Sequence, residues 1–340
     1  MLFALLCACQ PDPAPSDPES DADTDADSDT DTDSDTDTDT DTDTDTDTDT
    51  VVPDFFDDFS APLDSKVWKI AKRNWGGQVG GVDYNGGVIA DLVSVEDGVL
   101  LLEAHGNLYE GKPFGINKDG SLRDDGKRVG STIATDAYFA SGRYEARMKL
   151  APELGVSSSF WTFFYQEFYP GDEGYKGPGP YTVVNHEIDI ETPGRADFTD
   201  YDPIAYDWFL ATCWTGVHNN QFTTSFVHLP EDMADGEFHV WRFDWHTGGK
   251  AKGGTVSETP RVEWYVDDVL WATNTTDVPS YASRIFLGAW FPNTWAGTPD
   301  FDVTRMEVDW ISFTAFHEAG DATAAETYPD FGWAELSEWP

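Results

Sequence analysis

In the stretch NHEIDIETPGR, residues 185–195, three acids fall at every second position: Glu187, Asp189 and Glu191. Side chains along a β-strand point alternately to its two faces. A strand over VVNHEIDIE therefore carries Asn185, Glu187, Asp189 and Glu191 in one row and Val184, His186, Ile188 and Ile190 in the other. The second row has core character, which makes His186 a packed, hydrogen-bonded histidine. The first row lines up like charges that repel, and two readings account for it. It is either a solvated face of a very acidic chain or a set of carboxylates with chemistry to perform. For the second reading, positions four apart in an extended strand have Cα atoms about 13 Å apart. Two glutamates leaning together can bring their carboxyl groups to about 5–5.5 Å, the separation at which one attacks an anomeric carbon while the other protonates the leaving oxygen. Asp189 between them can share a proton with a neighbour and raise the pKa of the glutamate that must stay protonated.

Such a row needs a rigid frame, and the surrounding sequence supplies short β-prone segments punctuated by Gly, Asn, Asp and Pro. LVSVEDGVLLLEA reads as a hairpin turning at Glu96-Asp97-Gly98. GRYEARMKL alternates, with Tyr144, Ala146, Met148 and Leu150 on one face and Arg143, Glu145, Arg147 and Lys149 on the other. VSSSFWTFFY, YDWFLATCW, FTTSFVHL, FHVWRFDWH, RVEWYVDDVLWAT, RIFLGAWF and TRMEVDWISF continue the pattern, and no helix of ordinary length interrupts it. Many short strands in one domain of this size predict an all-β fold, two antiparallel sheets packed as a sandwich of the jelly-roll kind. The 14 tryptophans suit both a large core and a groove that stacks on sugar rings.

Charge and cysteine usage bound the rest. The formal net charge is −44, and 18 acids with no bases lie between Pro11 and Thr50. The remaining 46 acids against 20 bases still argue against nucleic acid or an anionic membrane surface as partner. Of three cysteines only Cys213 lies in the strand-rich region, so no disulfide can form within it and Cys213 reads as a small buried hydrophobe. The seven histidines include no H-x-x-x-H or comparable ligand pair, so no catalytic metal is expected.

Four regions follow. Residues 1–9, MLFALLCAC, resemble the end of a bacterial lipoprotein signal with Cys9 as the lipidated residue, although no Lys or Arg precedes the apolar run and Cys7 stands where Ala or Ser is usual. Residues 10–52, dominated by Asp-Thr repeats, have nothing to bury and read as a disordered tether. The repeats lack the loop glycine and terminal glutamate of an EF-hand. Residues 53–317 form the folded domain, and residues 318–340 an acidic tail. The expected location is the cell surface or outer membrane as a lipoprotein, or alternatively the medium as a secreted protein; a membrane is contacted only through the lipid, and the expected state is a monomer.

Taken in order, these segments resemble glycoside hydrolase family 16, the jelly-roll endo-glucanases and their relatives. EIDIE is similar to the family's E-x-D-x-E signature without an extra bulge residue, and the likeness runs from FFDDFSAPLDSKVW to MEVDWISF, roughly residues 54–316. By position, the resemblance implies Glu187 as nucleophile, Glu191 as acid/base and Asp189 as the assisting carboxylate. It implies glycan contacts at Glu145 and Arg147 on the concave face, at Trp161 and Trp290 along the cleft, and more weakly at Trp214 and Asn85. For each Trp the alternative is a core or sheet-face aromatic. Some members hold a structural calcium through an aspartate of the last strand, which corresponds to Asp309. Departures are Asn185-His186 where mixed-linkage glucanases usually carry Trp-Asp, Gly288 where an Asn is common, and long aromatic-rich insertions at HGNLYEGKPFGINKDGSLRDDGKR and YQEFYPGDEGYKGPGPY.

The function this implies is a retaining endo-acting hydrolase of a β-linked polysaccharide, a β-1,3-glucan, a mixed-linkage β-1,3/1,4-glucan or a galactan. Two rivals stand beside it. A transglycosylase would pass the glycosyl intermediate to another sugar. A non-catalytic glucan-binding protein would use the same sandwich, but such relatives tend to lose the two glutamates that this chain keeps.

Overall fold

The computed structural model describes residues 52–318 and 321, except 73–77, 80–81, 84, 111–127, 198–202, 218, 250–258 and 293–294. The Cys9 segment, the Asp-Thr repeats and nearly all of the tail therefore lie outside the described residues, as does most of the insertion after His105.

Among the described residues eighteen strands follow one another: β1 (Phe55–Asp57), β2 (Trp68–Ile70), β3 (Gln78–Val79), β4 (Val82–Asp83), β5 (Asn85–Val88), β6 (Val93–Glu96), β7 (Val99–His105), β8 (Arg128–Thr135) and β9 (Gly142–Lys149). Then come β10 (Ser157–Phe168), β11 (Thr182–Thr192), β12 (Trp208–Val217), β13 (Asn219–His228), β14 (His239–His246), β15 (Arg261–Val266), β16 (Val269–Asn274), β17 (Arg284–Trp290) and β18 (Val303–Ala315). Among the described residues the one helical turn is a 3₁₀ segment, Ala90–Leu92.

Two layers form. One runs β13-β12-β11-β10-β17-β8, the other β7-β18-β9-β14-β15-β16, and a single bridging pair, His105 opposite Val129, links β7 to β8. Pairing along both layers is antiparallel. The core lies between them, where Phe160, Ile188, Ile190 and Ala211 of the first layer meet Tyr144, Trp241, Phe243 and Trp264 of the second. Phe160 and Phe243 rings approach to 5.1 Å across the gap. This is the antiparallel jelly-roll sandwich that the alternation predicts.

Local chemistry explains the turns. The predicted hairpin forms between β6 and β7, and Asp97 and Gly98 both adopt positive φ, as a two-residue loop matching strand twist demands. Asp267 and Asp268 do the same between β15 and β16. In β9 the observed burial alternates as the sequence implies, with Tyr144, Ala146 and Met148 inward. Cys213 is fully buried and free.

Candidate active site

β11 is central in its layer, paired with β10 on one side and β12 on the other. Ile188 and Ile190 point into the core and are fully buried. Alternation then sends Glu187, Asp189 and Glu191 to the outer face of the layer. His186 occupies the inner row, and its Nδ1 accepts a hydrogen bond from the Ser280 amide at 3.1 Å. That is the packed histidine the pattern predicts. Trp264, from the opposite layer, donates its Nε1–H to the main-chain oxygen of Asp189 at 3.1 Å. The acid row is thereby fixed from beneath as well as from its two neighbouring strands.

Register decides what surrounds the acids. Directly opposite residues in an antiparallel pair share a face. Trp161 stands opposite Asp189, Ser159 opposite Glu191 and Phe163 opposite Glu187 on β10, and Trp214 stands opposite Glu187 on β12. One strand further, Trp290 of β17 lies opposite Ser157. Together Glu187, Asp189, Glu191, Trp161, Trp214, Trp290 and Trp295 line a cavity of about 180 Å³. Predicted residues from four strands, β10, β11, β12 and β17, thus converge on one cleft.

The tryptophans are held individually. Trp214 donates Nε1–H to Asp189 Oδ2 at 3.1 Å and packs on Phe222 at 4.4 Å between centroids. Trp290 donates to Ser159 Oγ at 2.9 Å, and Ser159 is hydrogen-bonded to Ser157 at 2.8 Å. Trp161 is only 3% exposed and stacks on Phe286 at 5.0 Å and 23°. It is therefore both a wall of the cleft and a member of a small aromatic cluster on this face. Gly288 explains how it fits. A Cβ at that position would lie 2.4 Å from Thr132 Oγ1 and 3.1 Å from the Trp161 ring, so the glycine makes room where an Asn is more common.

Electrostatics separate the three acids. Burial pushes Glu187 up to about 7, while hydrogen bonds from Asp189 and Asn185 pull against that rise and favour its charged form. Glu191 goes up to about 8, through burial and then the Glu187 charge, with no donor opposing the rise. Asp189 is held well above the usual carboxylate range, by burial first and then by the charges of both glutamates, and it is hydrogen-bonded to Glu187. The site holds one carboxyl aided toward ionisation and one held protonated near neutral pH.

Two predicted contacts lie elsewhere. Glu145 and Arg147 are in β9, which belongs to the other layer, and their side chains leave its outer face, on the far side of the sandwich from the acids. Alternation within β9 was legible, but which layer the strand joins depends on pairing with β14 and β18. There Arg147 pairs with Asp309 at 2.6 Å, and Ser312 Oγ donates to Glu145 at 3.4 Å. The same pairing involves Asp309, the residue of the calcium expectation. Asp309 sits at an irregularity of β18 with a guanidinium on its carboxylate, and no group of three or more metal-ligating side chains exists among the described residues. Asn85 begins β5, paired in parallel with β8, and its side chain lies outside the described residues.

Sequence reasoning missed two participants. Trp295, in a turn five residues beyond Trp290, meets that ring edge-on at 6.1 Å. The motif NTWAG carries no periodicity that would have singled it out. Asn185 was legible in the acid row but had no assigned role; its amide now supports Glu187.

A two-layer β-sandwich with a row of three neighbouring carboxyls in a tryptophan-lined cleft defines a class of carbohydrate-active proteins, and comparison with known sequences agrees. Residues 104–312 match the family described as glycosyl hydrolases family 16. The chain belongs to that family. It is 29% identical over 181 residues to a beta-glucanase of Paenibacillus polymyxa, covering 52% of this chain and 60% of that protein. It is 26% identical to the endo-1,3-1,4-beta-glycanase ExoK of Rhizobium meliloti, covering 78% and 80% respectively. The chain thus spans about 60% of the length of the first curated relatives it matches. A solved beta-1,3-1,4-glucanase (lichenase) from a mouse hindgut metagenome shares the fold, with a TM-score of 0.50, 21% identity, and coverage of 77% of this chain and 99% of that one.

Proposed function

We propose that this protein is a retaining, endo-acting glycoside hydrolase of a neutral β-linked glucan, with β-1,3- or mixed β-1,3/1,4-linkages. The observation that carries the reading is the electrostatic division of the acid row within an aromatic cleft. Glu187, favoured in its ionised form by Asp189 and Asn185, attacks the anomeric carbon and forms a glycosyl ester. Glu191, held protonated, gives its proton to the departing glycosidic oxygen, then removes one from the water that hydrolyses the ester. Asp189 shares a proton with Glu187 through their hydrogen bond and orients it, itself held by Trp214. Indole rings on either side offer flat apolar faces to pyranose rings.

Among the described residues the lining contains no Lys or Arg, and its charged groups are all acids. An anionic polysaccharide would be repelled, which favours a neutral one. The relatives named as a beta-glucanase and an endo-1,3-1,4-beta-glycanase support the same substrate class. The test is release of reducing ends from purified β-1,3-glucan, mixed-linkage β-glucan and a sulfated galactan. Release from a β-glucan but not the sulfated polymer is expected; the reverse order would overturn the neutral-substrate reading. We also propose export with a lipid on Cys9, for which the support is the LCAC segment alone. Cys9→Ala should then move the protein from the membrane fraction to the soluble one.

A further inference from the structure

The hairpin that joins β10 to β11 continues the catalytic face well past the acids. Its register runs on from Phe163 opposite Glu187 to Tyr165 opposite Asn185 and Glu167 opposite Val183. Odd-numbered residues of both strands share the outer face with the acid row. Phe163 and Tyr165 are stacked at 6.1 Å and 17°. Beyond them the Tyr165 and Tyr169 hydroxyls donate to the two oxygens of Glu167, at 2.7 Å and 2.5 Å. Tyr169 also meets Tyr181 at 5.8 Å, and these two rings are 52% and 38% exposed.

The even-numbered residues anchor this extension. Phe164 and Val184 are buried with Tyr138, Ala140 and Ala282 in a second core cluster, against which Phe168 and Tyr281 pack. Gly174 lies so close to the Phe168 ring that a Cβ there would come within 2.3 Å of it, so the hairpin tip is folded down on its own aromatic residue. A loop with its own small core holds its outer face rigid, and preorganised rings lose less freedom on binding. Between the acids and the tyrosines sits Asn185, buried, with Oδ1 lacking a hydrogen-bond partner while the amide supports Glu187. A buried carbonyl oxygen without a donor is costly, and a sugar hydroxyl would supply one.

We propose that Asn185, Tyr165, Tyr169 and Tyr181 form a remote glycan-binding platform that takes pyranose units of the same neutral chain, continuing from the Glu187 end of the cleft. This rests on the reading of the site as a glucan hydrolase. The occupant follows from continuity. The platform shares strands and face with the acid row, and Tyr169, one residue past the end of β10, lies about 20 Å from the level of Glu187, since it stands six positions on from Phe163. A short oligosaccharide at the acids would not reach it, whereas a polymer would. The platform therefore gives the enzyme a preference for long chains.

The test uses the full chain carrying Glu187→Gln, so that bound glycan survives, with and without Tyr169→Ala and Tyr181→Ala. Binding is measured by calorimetry for mixed-linkage β-glucan, soluble β-1,3-glucan and a trisaccharide of each. Both tyrosines are exposed, so folding should be unaffected. Polymer binding should weaken about tenfold, a loss of about 1.4 kcal/mol, while trisaccharide binding stays unchanged. Tyr169→Phe with Tyr181→Phe should restore the polymer affinity, because rings rather than hydroxyls make the contact. Equal polymer affinity with and without the alanines would overturn the platform and leave the hydrolase reading standing. Failure of the Glu187→Gln protein to bind any of these glycans would overturn both.

Discussion

At the residue scale the account rests on three carboxyls that ionise above the ordinary range. The active form has Glu187 charged and Glu191 protonated, so kcat/KM should rise as pH approaches about 7 and fall beyond about 8. A rate profile measured from pH 4 to 10 checks this, and an optimum near pH 4.5 would contradict the raised values. Asp189→Asn keeps a hydrogen bond to Glu187 but cannot hold a movable proton, and should lower kcat about 10²–10³-fold with little change in KM. The same shifts set stability. A carboxyl whose pKa is raised on folding binds more protons folded than unfolded, so the native state loses stability as pH climbs from about 4.5 through about 8. Asp189→Asn should therefore raise the Tm by about 2–4 °C at pH 8 and by nothing at pH 4, as differential scanning calorimetry would show. These acids were visible in the sequence because strand alternation is strict. Their division of labour was not, since it depends on Asn185 amide geometry and on depth beneath the Trp rings.

At the scale of elements, β11 works because β10, β12 and β17 bring aromatic residues level with its acids. Alternation and residue type made most strands legible, and the Asp97-Gly98 turn fixed one hairpin in advance. Layer membership was hidden. GRYEARMKL has a clean polar face, yet that face belongs to the layer opposite the cleft, because the pairing of β9 with β14 and β18 is a long-range choice. Trp295 was hidden for a similar reason, lying in a turn whose position comes from the fold. Gly288 gives a sharp test of how closely the strands are fitted. Gly288→Ala should force Thr132 and Trp161 apart at a cost of about 1–3 kcal/mol, and it should raise KM through displacement of the Trp161 ring. Adding Thr132→Ala removes the 2.4 Å clash, and Thr132 Oγ1 is buried without a partner, so the double variant should recover most of the lost stability. Thermal melts of the two proteins decide it; no difference between them would show that the Trp161 ring, not Thr132, is the obstacle.

At the scale of the whole molecule, the described core begins at Phe55 and Phe59 and closes with β18. Asp54 caps this closure by accepting the Ala315 amide at 2.7 Å. Past β18, Glu318 is tied to Ser141 at 2.9 Å, to the Gly248 amide at 2.7 Å and to His246 at 2.7 Å, so the start of the acidic tail is part of the domain's hydrogen bonding. Removal of residues 1–52 should leave the Tm and kcat within error of the full chain, whereas ending the chain at Phe316 should lower the Tm. Loss of folding in the first truncation would show that the acidic segment does more than connect. The role of Glu318 could not be read from a tail that is acidic throughout. Above all stands the claim that two glutamates on one strand carry out two successive displacements at the same anomeric carbon. Proton NMR of the first product formed from a cleaved β-glucan, recorded before mutarotation, tests it most directly. The account predicts a β-anomeric reducing end, as two inversions retain configuration; an initial α-anomer would contradict Glu187 as the nucleophile.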